Sequence, residues 1–152
     1  MKPKKKIIGR REKVDFPGLE IYGIEAKIDT GAFSSSIHCK DVSAREENGS
    51  LMVTFTVLDE KHPQFSEKPL TCPVSNIKMV KNSFGQVEER YCITTEINIY
   101  NQLYEIELSL ADRSLMDYAV LLGRKAIRRR FLVDVNKVNC AQQHEAKASK
   151  HK

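Results

Sequence analysis

An Asp-Thr-Gly-Ala turn after a strand-like segment constrains this chain more than any other feature. Residues 24–28 read Ile-Glu-Ala-Lys-Ile, and Asp29, Thr30, Gly31 and Ala32 follow directly. Because Gly31 lets the backbone approach closely, the sequence places the Asp29 carboxylate on a tight turn at the end of a strand. Asp-x-Gly sequences also form ordinary turns, so an ordinary turn aspartate is the alternative interpretation of Asp29.

A second signal lies far downstream. Residues 119–122 read Ala-Val-Leu-Leu and lead to Gly123, and the basic segment 124–131 that follows is helix-like. Alone, this pattern is also typical of a core strand interrupted by glycine. The two signals occur in this order in one chain, and together they resemble the half-site of the pepsin-like and retroviral aspartic proteases.

Apolar and polar residues alternate in three further segments. These segments cover residues 51–57, 90–99 and 104–110. A period of two is typical of a half-buried antiparallel strand. Turn-forming residues separate the segments, and the charged, proline-containing stretch 59–70 is expected to be a loop. The sequence therefore predicts an all-β fold, either a closed barrel or a sandwich.

Composition indicates one globular domain and a basic surface. The chain has 152 residues, of which 41% are hydrophobic and 30% charged, as expected for a folded domain. Tryptophan is absent, so the core must rely on Ile, Val and Leu. The net charge of +5 comes from basic residues near both ends and in residues 124–130. These residues either keep the protein soluble or attract acidic partners such as RNA, ribosomes or polyglutamate.

The sequence gives no indication of a leader or a membrane span. The apolar segment after the basic first residues is only Ile7-Ile8, and no window approaches the ~20 apolar residues of a spanning helix. We therefore expect a cytoplasmic protein without a membrane partner. In that reducing compartment we expect free thiols at all four cysteines, which are Cys39, Cys72, Cys92 and Cys140.

The resemblance to the retroviral proteases implies a role for each residue of the Asp turn. Asp29 would be the catalytic carboxylate, and the hydroxyl of Thr30 would lock two such turns together. Gly31 would supply backbone room and an N–H aimed at the carboxylates. Ala32 also matches the retroviral version of the motif.

The same resemblance implies a homodimer. Leu122 and Gly123 would pack behind the Asp turn, and Arg124 would open the helix as a structural ion-pair partner. Aspartic proteolysis needs two carboxylates that share one proton. Asp-Thr-Gly occurs once in this chain, so a two-fold axis would have to bring two copies of Asp29 together. We expect a peptide or protein substrate and no cofactor.

Seven segments in order resemble one family more closely. They are residues 9–12, 26–32, 81–85, 88–90, 112–116, 121–124 and 131–134. They look like the bacterial and archaeal family called ATP-dependent zinc proteases. Members of that family are retropepsin-like domains often linked to the ATP-grasp ligase that adds glutamates to a ribosomal protein.

This resemblance implies a fold, a domain and partners. The implied fold is a retropepsin-like closed antiparallel β barrel with one short helix after Gly123. We expect the domain over residues 1–138, followed by a polar basic tail over 139–152 that is disordered or weakly helical. The implied partners are a ligase or a ribosomal protein.

The chain departs from the retroviral pattern in two respects. The interval from Asp29 to Gly123 is longer, so extra strands or loops are expected around residues 40–75. A glycine-rich flap is also missing, and the turn Ser83-Phe84-Gly85 is the best substitute for its tip.

The residues offer little basis for zinc or ATP. No H-E-x-x-H and no P-loop motif is present. A zinc cluster of His38, Cys72 and Cys92 would have to be assembled by folding, because their spacing gives it no support. Three hypotheses remain open. They are a dimeric aspartic peptidase, a catalytically silent domain that binds a ligase or ribosome, and a metallopeptidase.

Overall fold

β-Strands dominate the computed structural model, which describes residues 4–81 and 84–142. The strands are β1 (Lys6–Ile8), β2 (Arg11–Phe16), β3 (Ile21–Ile28), β4 (Ser35–Glu47), β5 (Ser50–Val57), β6 (Leu70–Pro73), β7 (Asn76–Lys81), β8 (Val87–Ile99), β9 (Gln102–Ala111), β10 (Val120–Leu122) and β11 (Phe131–Val133). A 3-10 helix covers Pro17–Leu19, and one short α-helix, α1 (Arg124–Ile127), follows Gly123. The predicted all-β class is confirmed.

The main sheet curls into a partial ring. Its strand order is β10-β3-β2-β8-β9-β4-β5-β6, with β7 paired to β8, and β10 also pairs with β4. The ring is weakest between β2 and β8, where Asp15 and Asn98 form the one register pair. The sheet is therefore a curved ring with an incomplete seam rather than an evenly hydrogen-bonded barrel.

Alternation and turn chemistry explain the long hairpins. Most apolar residues of β5, β8 and β9 face the core, where Phe55, Ile93 and Leu108 are almost completely buried. Asn48 and Gly49 join β4 to β5 with φ angles of 51° and 82°, as a two-residue turn with positive φ requires. The predicted strands at 51–57, 90–99 and 104–110 are confirmed within β5, β8 and β9.

The insertion of β10 between β3 and β4 places the functional motifs together. β3 and β4 are consecutive in the chain, yet β10 lies between them, parallel to β3 and antiparallel to β4. Leu122 is in register with Ile28, so both parallel strands end at the same edge. Asp29 follows one strand end and Gly123 follows the other, and this psi-shaped arrangement makes two distant sequence motifs neighbours.

The structure adds detail that the sequence pattern did not give. α1 ends at Ile127, because Arg128 is extended and Arg129 has a φ of 68°, so the predicted helix over 124–131 is too long. The buried ring of Phe131 then begins β11, which pairs in parallel with β1 of the same chain. The extra elements expected around 40–75 are β5, β6 and the loop between them.

A buried carboxylate fastens the C-terminal part of the described chain. Glu12 is 0% exposed. Its two oxygens accept the N–H groups of Gly9 at 2.7 Å, Cys140 at 2.9 Å and Ala141 at 3.0 Å. Residues 140–142 are helical, so the start of the predicted tail is held against β2. Residues 143–152 of that tail lie outside the described residues.

Glu12→Ala should destabilise the fold. Three buried N–H groups would lose a charged acceptor, so we expect a loss of about 2–4 kcal/mol in the free energy of unfolding. Urea unfolding followed by circular dichroism measures this loss. Glu46→Ala, at an exposed position of β4, is the matched control and should change stability by less than about 0.5 kcal/mol. Equal stability of the two variants would contradict the role of Glu12.

Candidate active site

The Asp29 turn is fixed by its own backbone and by the end of β10. The Asp29 N–H donates to the Leu122 carbonyl oxygen at 2.9 Å, and the Ala32 N–H donates to the Asp29 carbonyl oxygen at 3.2 Å. The Gly31 N–H donates to Asp29 Oδ1 at 3.0 Å. Asp29 is half-buried, and this hydrogen bond holds one of its two carboxylate oxygens. Thr30 is exposed at the tip of the turn.

Gly123 lies against the backbone of the turn that follows Asp29. A Cβ at this position would come within 2.5 Å of the Ser34 carbonyl oxygen and within 2.8 Å of the Ala32 carbonyl oxygen. The Gly123 N–H donates to Ser35 Oγ at 3.0 Å. Only a glycine allows this approach, which brings the end of β10 against the segment that follows Asp29.

Arg124 clamps the turn through backbone atoms. Its N–H donates to the Ala32 carbonyl oxygen at 2.8 Å, and its Nη1 donates to the Thr30 carbonyl oxygen at 2.9 Å. Its guanidinium lies over the Phe33 ring at 5.8 Å. Within the described residues Arg124 contacts carbonyl oxygens and pairs with no carboxylate, and its ion-pair role stays a prediction.

Arg113 lies near this turn, on the loop between β9 and β10. Its Nη1 donates to Ser36 Oγ at 3.2 Å, and its Nε donates to the Tyr118 carbonyl oxygen at 3.1 Å. Burial and then the positive charge of Arg90 lower the pKa of Arg113, while the carboxylate of Asp29 acts in the opposite direction. Arginine stays protonated in proteins, so a positive charge lies within electrostatic range of Asp29.

His38 joins the Arg113 loop to the loop after β5. The His38 side chain is buried, its Nδ1 accepts the Arg113 backbone N–H at 2.8 Å, and its Nε2 lies 2.8 Å from Asp59 Oδ2. An Nδ1 that accepts leaves the ring proton on Nε2, which donates to Asp59. The backbone of His38 also bonds to Ala119 and Leu58, at 2.8 Å each.

The sequence pointed only to parts of this network. It offered His38 only as one of three zinc-ligand candidates without support from spacing, and Arg113 only within the family-like segment 112–116. The partners of His38 are far away in sequence, at separations of 21 and 75 residues. No periodicity or short motif could therefore have predicted the connection from Asp59 through His38 to Arg113.

A hairpin of β7 and β8 carries the candidate flap. Its tip includes Phe84, which is 88% exposed, and Gly85, whose φ is 79°. Ser83, the third predicted tip residue, lies outside the described residues. Lys78 of β7 donates to Ser34 Oγ, which links this hairpin to the segment that follows the Asp turn. The hairpin thus starts beside the candidate site.

The suggested zinc ligands do not form a cluster. In residues 4–81 and 84–142, no group of three or more His, Cys, Asp or Glu side chains could hold a metal ion. His38 is instead bonded to Asp59 and to the backbone of Arg113. All four cysteines are free, as expected, and burial raises the pKa of each thiol. None of them is activated as a nucleophile.

The curved sheet, the psi-shaped insertion of β10 and the Asp29 turn define a retropepsin-like domain. The chain belongs to the RimB-like family. The family model, whose description is retropepsin-like aspartic endopeptidase RimB, matches residues 7–144 of this chain. That description names an aspartic endopeptidase and gives no support to the zinc protease name. The match also includes the first residues after the predicted domain boundary at 138.

The chain is similar to part of two larger proteins with the same name. A probable alpha-L-glutamate ligase from Desulfotalea psychrophila is 35% identical over 130 residues, which are 86% of this chain and 28% of the relative. One from Shewanella halifaxensis is 36% identical over 147 residues, 94% of this chain and 31% of the relative. The chain therefore spans only about a third of these relatives.

A solved structure shares the fold. The crystal structure of a Legionella pneumophila protein of unknown function superposes with a TM-score of 0.71 at 24% identity. The alignment covers 91% of this chain and 99% of that one. In the described part of the chain, no helix has the length and apolar character needed to cross a membrane.

Gly123→Ala should disturb the Asp turn. Its Cβ would collide with three backbone carbonyl oxygens that have no room to move, so we expect a loss of about 1–3 kcal/mol in the free energy of unfolding. Gly18→Ala is a suitable control, because its Cβ would meet only the Thr95 hydroxyl at 3.3 Å. Thermal unfolding compares the two, and an unchanged melting temperature for Gly123→Ala would contradict the close approach.

Asp59 provides a prediction about pH. Hydrogen bonds from the Lys61 N–H and from His38 lower the pKa of Asp59 in the folded state. Such a carboxylate stabilises the fold above its unfolded pKa of ~3.9, and this contribution is lost as the pH falls through the folded value. Asp59→Asn should therefore destabilise the protein at neutral pH, and its difference from wild type should shrink near about pH 3.

Urea unfolding at both pH values measures this change. Asp41→Asn, at an exposed position, is the control and should differ little from wild type at either pH. A difference between Asp59→Asn and wild type that stays constant with pH would contradict the prediction.

Proposed function

We propose that the protein is an aspartic-type endopeptidase whose catalytic pair consists of Asp29 from two copies of the chain. The observation that carries this proposal is the half-buried Asp29 carboxylate, held by the Gly31 N–H at 3.0 Å on the turn beside β10 in a RimB-like chain. Two carboxylates in contact cannot both ionise cheaply, so the pair would hold one proton between them.

The proposed reaction uses that shared proton. The ionised carboxylate takes a proton from a water molecule as the water oxygen attacks the scissile carbonyl carbon. The protonated carboxyl donates its proton to the carbonyl oxygen, which gives a neutral tetrahedral diol. Collapse of the diol breaks the C–N bond. The protonated carboxyl gives its proton to the leaving amine, and the ionised carboxylate takes one from a hydroxyl of the diol, which becomes the product carboxylic acid. The pair then returns to its starting state with one proton.

Two exposed surfaces of the chain would form the dimer contact. One is the tip of the Asp turn, and the other is the small sheet of β1 and β11. Thr30 lies at the exposed tip of the Asp turn, where its hydroxyl is able to reach a second turn. β1 and β11 pair with each other within one chain and form a small parallel sheet. Ile7 and Leu132 of this small sheet are 40% and 55% exposed, which favours contact with a second copy.

The proposed substrate is an acidic peptide. The positive charge of Arg113 lies within electrostatic range of Asp29, which favours carboxylate side chains close to the scissile bond. The matched relatives are named as probable alpha-L-glutamate ligases, and a ligase of that kind would make glutamate-rich peptides. We therefore propose a glutamate ligase or its ribosomal-protein product as the physiological partner, in the cytoplasm.

A second candidate is a catalytically silent partner of such a ligase. The relatives that favour it are named for ligation and not for proteolysis, and this chain matches 28–31% of their length. In that case the domain would bind the ligase or its product without cleaving it.

Asp29→Asn should abolish peptidase activity without unfolding the protein. A neutral amide cannot take the proton from water, so we expect a fall of at least about 10²–10⁴-fold in kcat/KM. The substrate would be a tryptic peptide library together with a peptide carrying a glutamate tail, and mass spectrometry would detect new termini. Asp41→Asn is the control for the loss of one charge and should keep wild-type rates.

The outcomes of this experiment separate the two candidates. An Asp29→Asn variant that cleaves at the wild-type rate would contradict the catalytic role. A wild-type protein that binds the glutamate-tailed peptide and never cleaves it would favour the silent partner.

Activity should also depend on assembly. Because each chain supplies one Asp29, the active species must be at least a dimer. Basic side chains such as Lys5 and Arg129 near the chain ends should weaken association at low salt. Sedimentation and activity measured over the same range of concentration, at low and high salt, test this. Full activity from a strict monomer would contradict the shared pair.

A further inference from the structure

Arg113 is held more firmly than an ordinary loop arginine. Its backbone N–H donates to His38 Nδ1 at 2.8 Å, and its side chain donates to Ser36 Oγ and to the Tyr118 carbonyl oxygen. Each hydrogen bond comes from a different nitrogen of Arg113, one in the backbone and two in the guanidinium, so both groups are fixed. A loop arginine without a function would leave its side chain in solvent, where it keeps its rotamer freedom.

Two paired strands bring Arg113 to the Asp turn. Ser36, which anchors the guanidinium, is in register with Leu121 of β10. The next residue, Leu122, accepts the Asp29 N–H at 2.9 Å. The anchor of Arg113 and the catalytic turn are therefore attached to adjacent residues of one short strand. Any shift of β10 would move both together, which keeps their separation constant.

The charges around Arg113 are unevenly distributed. Acidic groups on its own loop are Asp112, which is exposed, and Asp117. Asp59 lies on the loop after β5, and it already accepts hydrogen bonds from His38 and from the Lys61 N–H. Further charged or titratable groups near Arg113 in the described residues lie on two other elements. They are Arg90 of β8, which pairs with Glu88 at 3.9 Å beside Glu89, and Lys61 and His62 of the loop after β5. On the side of the Asp turn, Arg124 is occupied with the Thr30 carbonyl oxygen.

We propose that Arg113 is a positioning residue of the candidate active site, where it holds a fixed positive charge beside Asp29 and is itself aligned by the pair His38–Asp59. The expected effect of Arg113 on peptide cleavage rests on the proposed function. The placement of Arg113 relative to the Asp turn is a property of the chain alone. His38 holds the Arg113 loop in place, because it is hydrogen-bonded to the backbone of Arg113 and also to Asp59, Leu58 and Ala119.

A fixed cation beside a proton-sharing pair has a predictable effect. Positive charge favours every ionised state of the pair, so it moves both of its proton-loss steps to lower pH. The acidic limb of the pH profile, where one carboxylate ionises, would then lie at lower pH. The basic limb, where the other carboxyl loses its proton, would lie at lower pH as well. Removal of the cation should move both limbs of the pH profile upward.

The most direct test measures Asp29 itself. The carboxyl ¹³C resonance of Asp29 would be assigned by its loss in Asp29→Asn and titrated in wild type and in Arg113→Met. We expect the titration midpoint to rise in Arg113→Met, because loss of the positive charge disfavours the ionised carboxylate. Arg45→Met is the control, since Arg45 is exposed and paired with Glu47 on a distant hairpin, and should leave the midpoint unchanged.

Two further variants separate charge from structure. Arg113→Lys keeps the positive charge and should recover at least half of the shift. Ser36→Ala removes the anchor and leaves the charge, so a smaller upward shift is expected without loss of the fold. Melting temperatures of all variants identify any that is merely unfolded, and Ser36→Ala keeps the test decisive if Arg113→Met fails to fold.

The pH profile of peptide cleavage provides the second readout. Both limbs should move upward by the same amount as the Asp29 resonance in Arg113→Met. An Asp29 midpoint that is identical in Arg113→Met, Arg45→Met and wild type would overturn the inference, whatever the activity. A wild-type protein that cleaves no peptide would instead contradict the proposed function, and the resonance would still decide the role of Arg113.

Discussion

The insertion of β10 between β3 and β4 is the constraint on which the rest of the structure depends. β10 is only three residues long, yet it pairs with both neighbours and ends beside Asp29. Its last carbonyl oxygen accepts the Asp29 N–H, and the glycine after it fits against the carbonyl oxygens of residues 32–34. The turn therefore derives its geometry from a strand that lies about ninety residues away in sequence.

This arrangement explains why small residues and backbone atoms do most of the positioning. Gly123 permits the close approach, the Gly31 N–H holds one carboxylate oxygen, and Arg124 grips carbonyl oxygens rather than a carboxylate. Asp29 is thus held without a direct ion pair to a basic side chain in the described residues. A carboxylate in such a setting remains available to share a proton, which is the property that the proposed chemistry needs.

Local patterns in the sequence predicted local structure well. Strict alternation over residues 51–57 and 104–110 identified β5 and β9, because each of these strands buries one face. Gly123 correctly marked the start of the helix, but the helix ends at Ile127, since Phe131 is needed in the core and β11 pairs with β1. Tertiary packing thus limited an element that local sequence would have extended.

Contacts between distant residues were beyond the reach of the sequence. The link from Asp59 through His38 to Arg113 joins three separate loops and strands, and neither spacing nor composition indicates it. His38 had been considered as a zinc ligand because histidine often is one, but both of its ring nitrogens are occupied by protein partners. The pairing of two copies of Asp29 is likewise a contact between chains.

Mixing wild-type protein with Asp29→Asn protein tests the shared catalytic pair most directly. If each active site takes one Asp29 from each copy, mixed dimers are inactive once the chains have exchanged subunits. Activity at constant total concentration should then fall with the square of the wild-type fraction, to a quarter when half of the chains are wild type. A linear decrease, to a half at that point, would show that each chain works alone and would contradict the account.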